Sequence, residues 1–138
     1  APNPGEEARP VARTASGGEI SRIILALKTV AAGTSGVPTM IFDELDAGIG
    51  GTTAEAVGRK LAALAEHRQV IAITHLPQIA RYGRTHYVVA KGVKQDRTVT
   101  DIRAVAGEDR IRELARMLAG EPITETALAH ARELLEKA

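Results

Sequence analysis

Cysteine and tryptophan are absent from the 138-residue chain, and Phe42, Tyr82 and Tyr87 complete its set of aromatic rings apart from histidine. Without cysteine, disulfides and thiolate metal centres are excluded, which suits a reducing cytoplasm. So thin a supply of aromatics argues against a base-stacking platform for single-stranded nucleic acid. No apolar run approaches the roughly 20 residues that a bilayer-spanning helix needs, so no membrane partner is expected. The start, APNPGEEARP, lacks the apolar core of a secretory signal. Pro2, Pro4 and Pro10 make it an extended or turn segment, the beginning expected of a chain cut from something longer. Charge of one sign is also lacking: 18 Lys and Arg stand against 17 Asp and Glu, a formal net charge of +1. No overall field therefore steers the chain toward nucleic acid or lipid.

What is present is the composition of an ordinary globular protein, 44% apolar and 25% charged. The length suffices for one compact domain with a core, and residues 1–138 read as a single domain. Ile20, Ile23, Ile24, Leu27, Val30 and Ala31 recur at helical spacing, and breakers from Gly33 predict a helix end near Ala32–Gly33. TMIFDE (39–44) and QVIAIT (69–74) read as buried strands, with a helix over about Thr52–Glu66 between them. A short helix starts at Pro77, a hairpin turns about Lys91–Asp96, and amphipathic helices close the chain at roughly 108–118 and 124–137. The alternation predicts an α/β fold whose parallel strands are covered by helices on their faces.

Three short segments carry chemistry. Asp43 and Glu44 end an apolar strand at the edge where α/β sheets place ligands, and successive strand residues point to opposite sides. An Asp there suits a Mg²⁺ ion that keeps most of its waters and touches phosphate, and the next Glu suits polarising an attacking water. Two acids solvating a strand end would look the same. In TASGGEISR (14–22), Ser16 and Glu19 have the spacing of a capping box. A cap alone has no use for Gly17 and Gly18, poor helix formers by about 1 kcal/mol each. Glycines bare backbone N–H groups, and a helix N-terminus favours anions, so the pair points to a phosphate. His75 follows the second strand, placed either to cap the next helix or to donate a hydrogen bond to a phosphate oxygen.

The order SGGE (16–19), MIFDE (40–44), Asp46-Ala47-Gly48 and Thr74-His75 resembles the second half of an ABC-type ATPase head of the SMC-like family. In that likeness the four are the signature, Walker B, the D-loop and the H-loop, and the likeness extends over nearly the whole chain. Ala15 departs from the wider pattern, where a Leu usually precedes the signature serine. The phosphate-cradling loop GxxxxGK[ST] is missing from the sequence; Gly58-Arg59-Lys60 has the wrong order. In the family that Walker A loop lies in the N-terminal half, beyond a long coiled coil.

The resemblance implies a P-loop NTPase fold, here its C-terminal lobe without the Walker A half. It implies ATP and Mg²⁺ as ligands, with Asp43 holding the metal through water, Glu44 positioning or deprotonating the attacking water, and His75 contacting the γ-phosphate. Ser16, Gly17, Gly18 and Glu19 would bind the ATP of a second head, and Asp46 would tie the two heads together. Implied partners are the Walker A half, a second head as homodimer, and DNA, double-stranded or broken, in double-strand break repair and recombination in the cytoplasm at the bacterial nucleoid. Two other readings stand beside it: an ABC-like docking scaffold without chemistry, and a stand-alone metal-dependent hydrolase. Arg81, Arg84, Lys91 and Lys94 form a modest basic cluster that fits DNA contact or a solvated face equally well.

Overall fold

The structure, a computed structural model, describes residues 1, 4–8, 10, 15–30, 37–94 and 97–137, with the Lys94 side chain excepted. Thr14, the expected helix end at Ala32–Gly33, and Gln95–Asp96 of the expected hairpin turn lie outside them. The chain forms two compact units, Ala1–His75 and Leu76–Ala138.

In the first unit, α1 (Gly17–Val30) precedes β1 (Thr39–Phe42), α2 (Gly51–Ala65) and β2 (Gln69–Ala72). The capping box at the start of α1 forms in both directions: the Ser16 N–H donates to Glu19 Oε2 at 3.1 Å, and the Glu19 N–H donates to Ser16 Oγ at 3.4 Å. β1 and β2 pair in parallel with Thr39 opposite Gln69 and Phe42 opposite Ala72. The Ile73 N–H continues the ladder by donating to the Phe42 carbonyl at 2.9 Å. Helix α2 buries Ala54, Val57, Leu61 and Leu64, a stripe at helical spacing, and packs against both α1 and β2.

The expectation of strands covered on both faces is corrected here. Met40 and Phe42 are buried, but Ile41 on the opposite face is 67% exposed, and Ile71 and Ile73 are exposed as well. Alternation across a strand puts these isoleucines away from the helices, so the continuous apolar run reports two faces of which the described residues cover one. Both strands end two residues before the expected 44 and 74, at Phe42 and Ala72.

The second unit opens with the short helix α3 (Pro77–Ala80), then β3 (His86–Lys94), β4 (Arg97–Val105), α4 (Gly107–Ala119) and α5 (Glu125–Glu136). β3 and β4 form an antiparallel ribbon, His86 opposite Val105 through Lys94 opposite Arg97. Leu114 and Ala115 of α4 pack with Ala127, Leu128 and Ala131 of α5 in a fully apolar core. The Gly120 N–H closes α4 on the Arg116 carbonyl at 2.8 Å, and Thr124 caps α5 by accepting from the Ala127 N–H at 3.2 Å. Arg81 is buried rather than presented with the basic cluster. It donates to Tyr82 Oη at 2.7 Å and to the Leu134 carbonyl at 3.2 Å. A guanidinium spent on internal acceptors is not a surface contact for DNA. Among the described residues no helix is long and apolar enough to cross a membrane.

Candidate functional site

Parallel pairing sets the C-terminal ends of β1 and β2 side by side, so the residues after Phe42 and after Ala72 emerge at one edge. The start of α1 meets the same edge. Together they line an open cleft of about 470 Å³ whose walls include Ser16, Gly17, Gly18, Asp43, Glu44, Asp46 and His75. Of the eight residues expected to bind ATP or Mg²⁺, catalyse hydrolysis or tie the heads together, Glu19 alone is not on the cleft wall; its side chain is occupied in the capping box.

Glu44 is the one described non-glycine residue with a left-handed backbone, at φ 58°. That conformation is uncommon outside glycine, Asn and Asp, and it is found where the surroundings enforce it. Here Asp43 Oδ1 accepts the Glu44 N–H at 2.9 Å, and the Ala47 N–H donates to the Glu44 carbonyl at 3.1 Å. Asp43 thus has one oxygen tied to backbone and the other available to a cation, and both acidic side chains stand exposed on the cleft. No cluster of three or more His, Cys, Asp or Glu that would cage a metal occurs among the described residues.

Asp46 is almost fully buried at 5% exposure and makes contacts within its own chain. Its Oδ2 accepts from Thr74 Oγ1 at 2.7 Å, from the His75 N–H at 2.7 Å and from His75 Nδ1 at 2.8 Å. Burial by itself raises the Asp46 carboxyl; the Thr74 hydroxyl, the His75 N–H and the imidazole reverse this and hold it below the usual aspartate value. A carboxylate only accepts, so Nδ1 carries the hydrogen of that bond, and Nε2 is the nitrogen left for a ligand. The ring itself is 74% exposed. Nε2 accepts when the imidazole is neutral and donates when it is protonated.

The glycine pair has a reason that spacing could not show. An added Cβ at Gly17 would lie 2.8 Å from Glu44 Oε2; at Gly18 it would lie 2.9 Å from both the Ala47 Cβ and the Glu44 carbonyl oxygen. The helix start therefore lies directly on the turn that carries Glu44, and at Gly18 a side chain would run into the backbone and Cβ of that turn. Sequence reasoning missed Ser21 and Arg22 as contributors to this site, and it named Thr74 only beside His75, without a role of its own. The first two stand four residues after Gly17 and Gly18, on the same helix face, and that i, i+4 relation was the available signal.

No protein-family model matches the chain. The DNA repair protein RecN of Streptomyces coelicolor is 52% identical over 138 residues, the whole of this chain and 24% of that protein. RecN of Treponema pallidum is 54% identical and RecN of Deinococcus radiodurans 51% identical, each over 133 residues, 96% of this chain and 23% of theirs. The chain matches the C-terminal portion of RecN. It spans about a quarter of the length of the curated relatives it matches.

The RecN match and the fold agree. A solved structure from work on ATP-driven dimerization and DNA-stimulated activation of SMC ATPases aligns with TM-score 0.55 at 18% identity. It covers 83% of this chain and 68% of that one. The chain thus shares the fold of that structure, a mixed α/β arrangement with a parallel strand pair flanked by helices.

Proposed function

We propose that this chain is the C-terminal half of the ATPase head of a RecN-like, SMC-family protein, and that it hydrolyses ATP when completed by a Walker A half and a second head. The observation that carries this reading is the meeting of three separate segments at one strand edge: the SGGE helix start, the Asp43–Glu44 turn and the Thr74–His75 pair. The exposed face of Ile41, Ile71 and Ile73 supports the reading that the Walker A half packs on the sheet.

In this mechanism Glu44 accepts a proton from, or orients, the water that attacks the γ-phosphorus. The P–O bond to the β-phosphate breaks and its electron pair leaves with ADP. Asp43 would hold Mg²⁺, and the bound ion would neutralise phosphate charge. His75, fixed through Nδ1, offers Nε2 to a γ-phosphate oxygen, as a donor when protonated. Ser16, Gly17, Gly18 and Glu19 form a helix start that favours an anion, here the γ-phosphate of ATP held by the opposing head. Asp46 holds His75 and lies in the loop that meets the second head.

The name of the relatives supports a role in DNA repair: head closure on ATP would be passed to DNA, double-stranded or broken, during recombinational repair in the cytoplasm at the nucleoid. Glu44→Gln in the complete protein keeps the size of the side chain and removes the base, so kcat for ATP should fall by about 10²-fold or more while ATP-dependent head dimerisation persists. Wild-type turnover in that variant would refute the role of Glu44 and favour a docking scaffold.

A further inference from the structure

The turn that carries Glu44 is held from outside by the second turn of α1. Arg22 Nη1 donates to the Leu45 carbonyl at 3.0 Å and to the Ala47 carbonyl at 3.0 Å. Ser21 Oγ donates to the Asp43 carbonyl at 3.2 Å. Three carbonyls on either side of Glu44 are thus bound by two adjacent side chains lying 22 to 25 positions earlier in the sequence. One turn back along the same face, Gly17 and Gly18 let the helix backbone close on Glu44 and Ala47 without intervening Cβ atoms. The segment gripped in this way includes the left-handed Glu44, a conformation that a side-chain-bearing residue keeps only under external constraint.

We propose that the first two turns of α1 brace the catalytic turn within the same chain, with Arg22 as a positioning residue for Glu44. Arg22 is not among the residues that line the cleft. It acts through the backbone: the planar guanidinium fixes two carbonyls at once, and that fixes where the Glu44 carboxylate stands. The brace also gives α1 a second task. Any movement of its N-terminus on meeting an anion passes through Arg22 and Ser21 to the turn that holds the base, so engagement at α1 and readiness for hydrolysis are coupled within one chain. This proposal rests on the reading of Glu44 as the base.

The test uses the complete RecN-like protein carrying Arg22→Ala, with Arg22→Lys as the milder variant. Misplacement of a catalytic group by about 1 Å costs on the order of 10²-fold, so Arg22→Ala should lower kcat by about ten- to a hundredfold with KM for ATP changed less than about twofold. Arg22→Lys, which keeps the charge but loses the planar fork, should fall between, and added guanidinium ion should restore part of the Arg22→Ala rate. Independently of turnover, hydrogen exchange at the Ala47 and Ile49 amides should accelerate in Arg22→Ala while exchange in α2 stays as in the wild type. Unchanged exchange over residues 44–49 would overturn the brace whatever the activity. So would a uniform rise in exchange with a lowered Tm and no guanidinium rescue, the mark of a merely structural residue. A wild-type protein that fails to hydrolyse ATP would sink the reading of Glu44 instead, and the exchange measurement would still decide the brace.

Discussion

Gly18→Ala is a substitution whose sign separates two explanations of the glycine pair. The new methyl carbon would lie 2.9 Å from the Ala47 Cβ, 2.9 Å from the Glu44 carbonyl oxygen and 3.1 Å from Arg22 Nη1. Comfortable carbon contacts lie at about 3.5–4.0 Å, so the overlap is roughly 0.6–1 Å with two neighbours that belong to, or sit next to, the backbone. Overpacking of this kind costs about 1–3 kcal/mol. Against it stands the better helix propensity of alanine, about 1 kcal/mol in a helix interior and less in a first turn. Gly18 does not have positive φ, so no strain from an unsuitable backbone enters the sum. The net expectation is a loss of up to about 2 kcal/mol, visible as a lowered urea midpoint with an unchanged m-value. Gly17→Ala meets only the carboxylate end of Glu44, at 2.8 Å, and that end swings aside. It should leave the urea midpoint close to wild type and lower ATP turnover. If Gly18→Ala raised the midpoint, as alanine does in an open helix start, the packing argument would be refuted and the glycines would be there for flexibility or ligand access alone.

Two further predictions concern each unit in turn. Asp46 is held below the usual aspartate value, so its contribution is fully present above about pH 4 and is lost as pH falls through the lower folded value. Asp46→Asn should therefore destabilise by about 1–3 kcal/mol near pH 7, with a gap to wild type that narrows in acid. Urea melts across pH 2–7, roughly the range in which carboxylates titrate, would check this, and a gap independent of pH would count against it. In the second unit, Leu114 is fully buried between α4 and α5, and Leu114→Ala should cost about 2–5 kcal/mol. Ile102→Ala, at a position 63% exposed on β4, should cost under about 1 kcal/mol, and comparable losses for the two would contradict the described core.

The helices were legible where an apolar stripe recurred over several turns. α2, α4 and α5 lie within one residue at each end of the expected 52–66, 108–118 and 124–137. Asp43, Glu44 and His75 were legible as edge residues because each ends an apolar run, and parallel pairing brings such ends together. Strand lengths were not, since Asp43 turns its carboxylate onto the following N–H and ends the strand two residues early. The bare face of Ile41, Ile71 and Ile73 was hidden too, because an apolar run has the same appearance whether or not both faces are covered. Arg81 read as a surface cation on charge alone, while its burial comes from Tyr82 and a carbonyl 53 positions away. Contacts made by Asp46, Arg22 and the glycine pair depend on segments more than twenty residues apart, which local spacing does not encode.

The most direct test of a composite ATPase is turnover measured for this chain, for a chain bearing the Walker A half, and for the two mixed, with wild-type and Glu44→Gln versions of this chain. The account predicts silence from each half, ATP hydrolysis from the mixture, and loss of that gain with Glu44→Gln. Hydrolysis by this chain alone, or a mixture in which Glu44→Gln turns over ATP as fast as wild type, would contradict it.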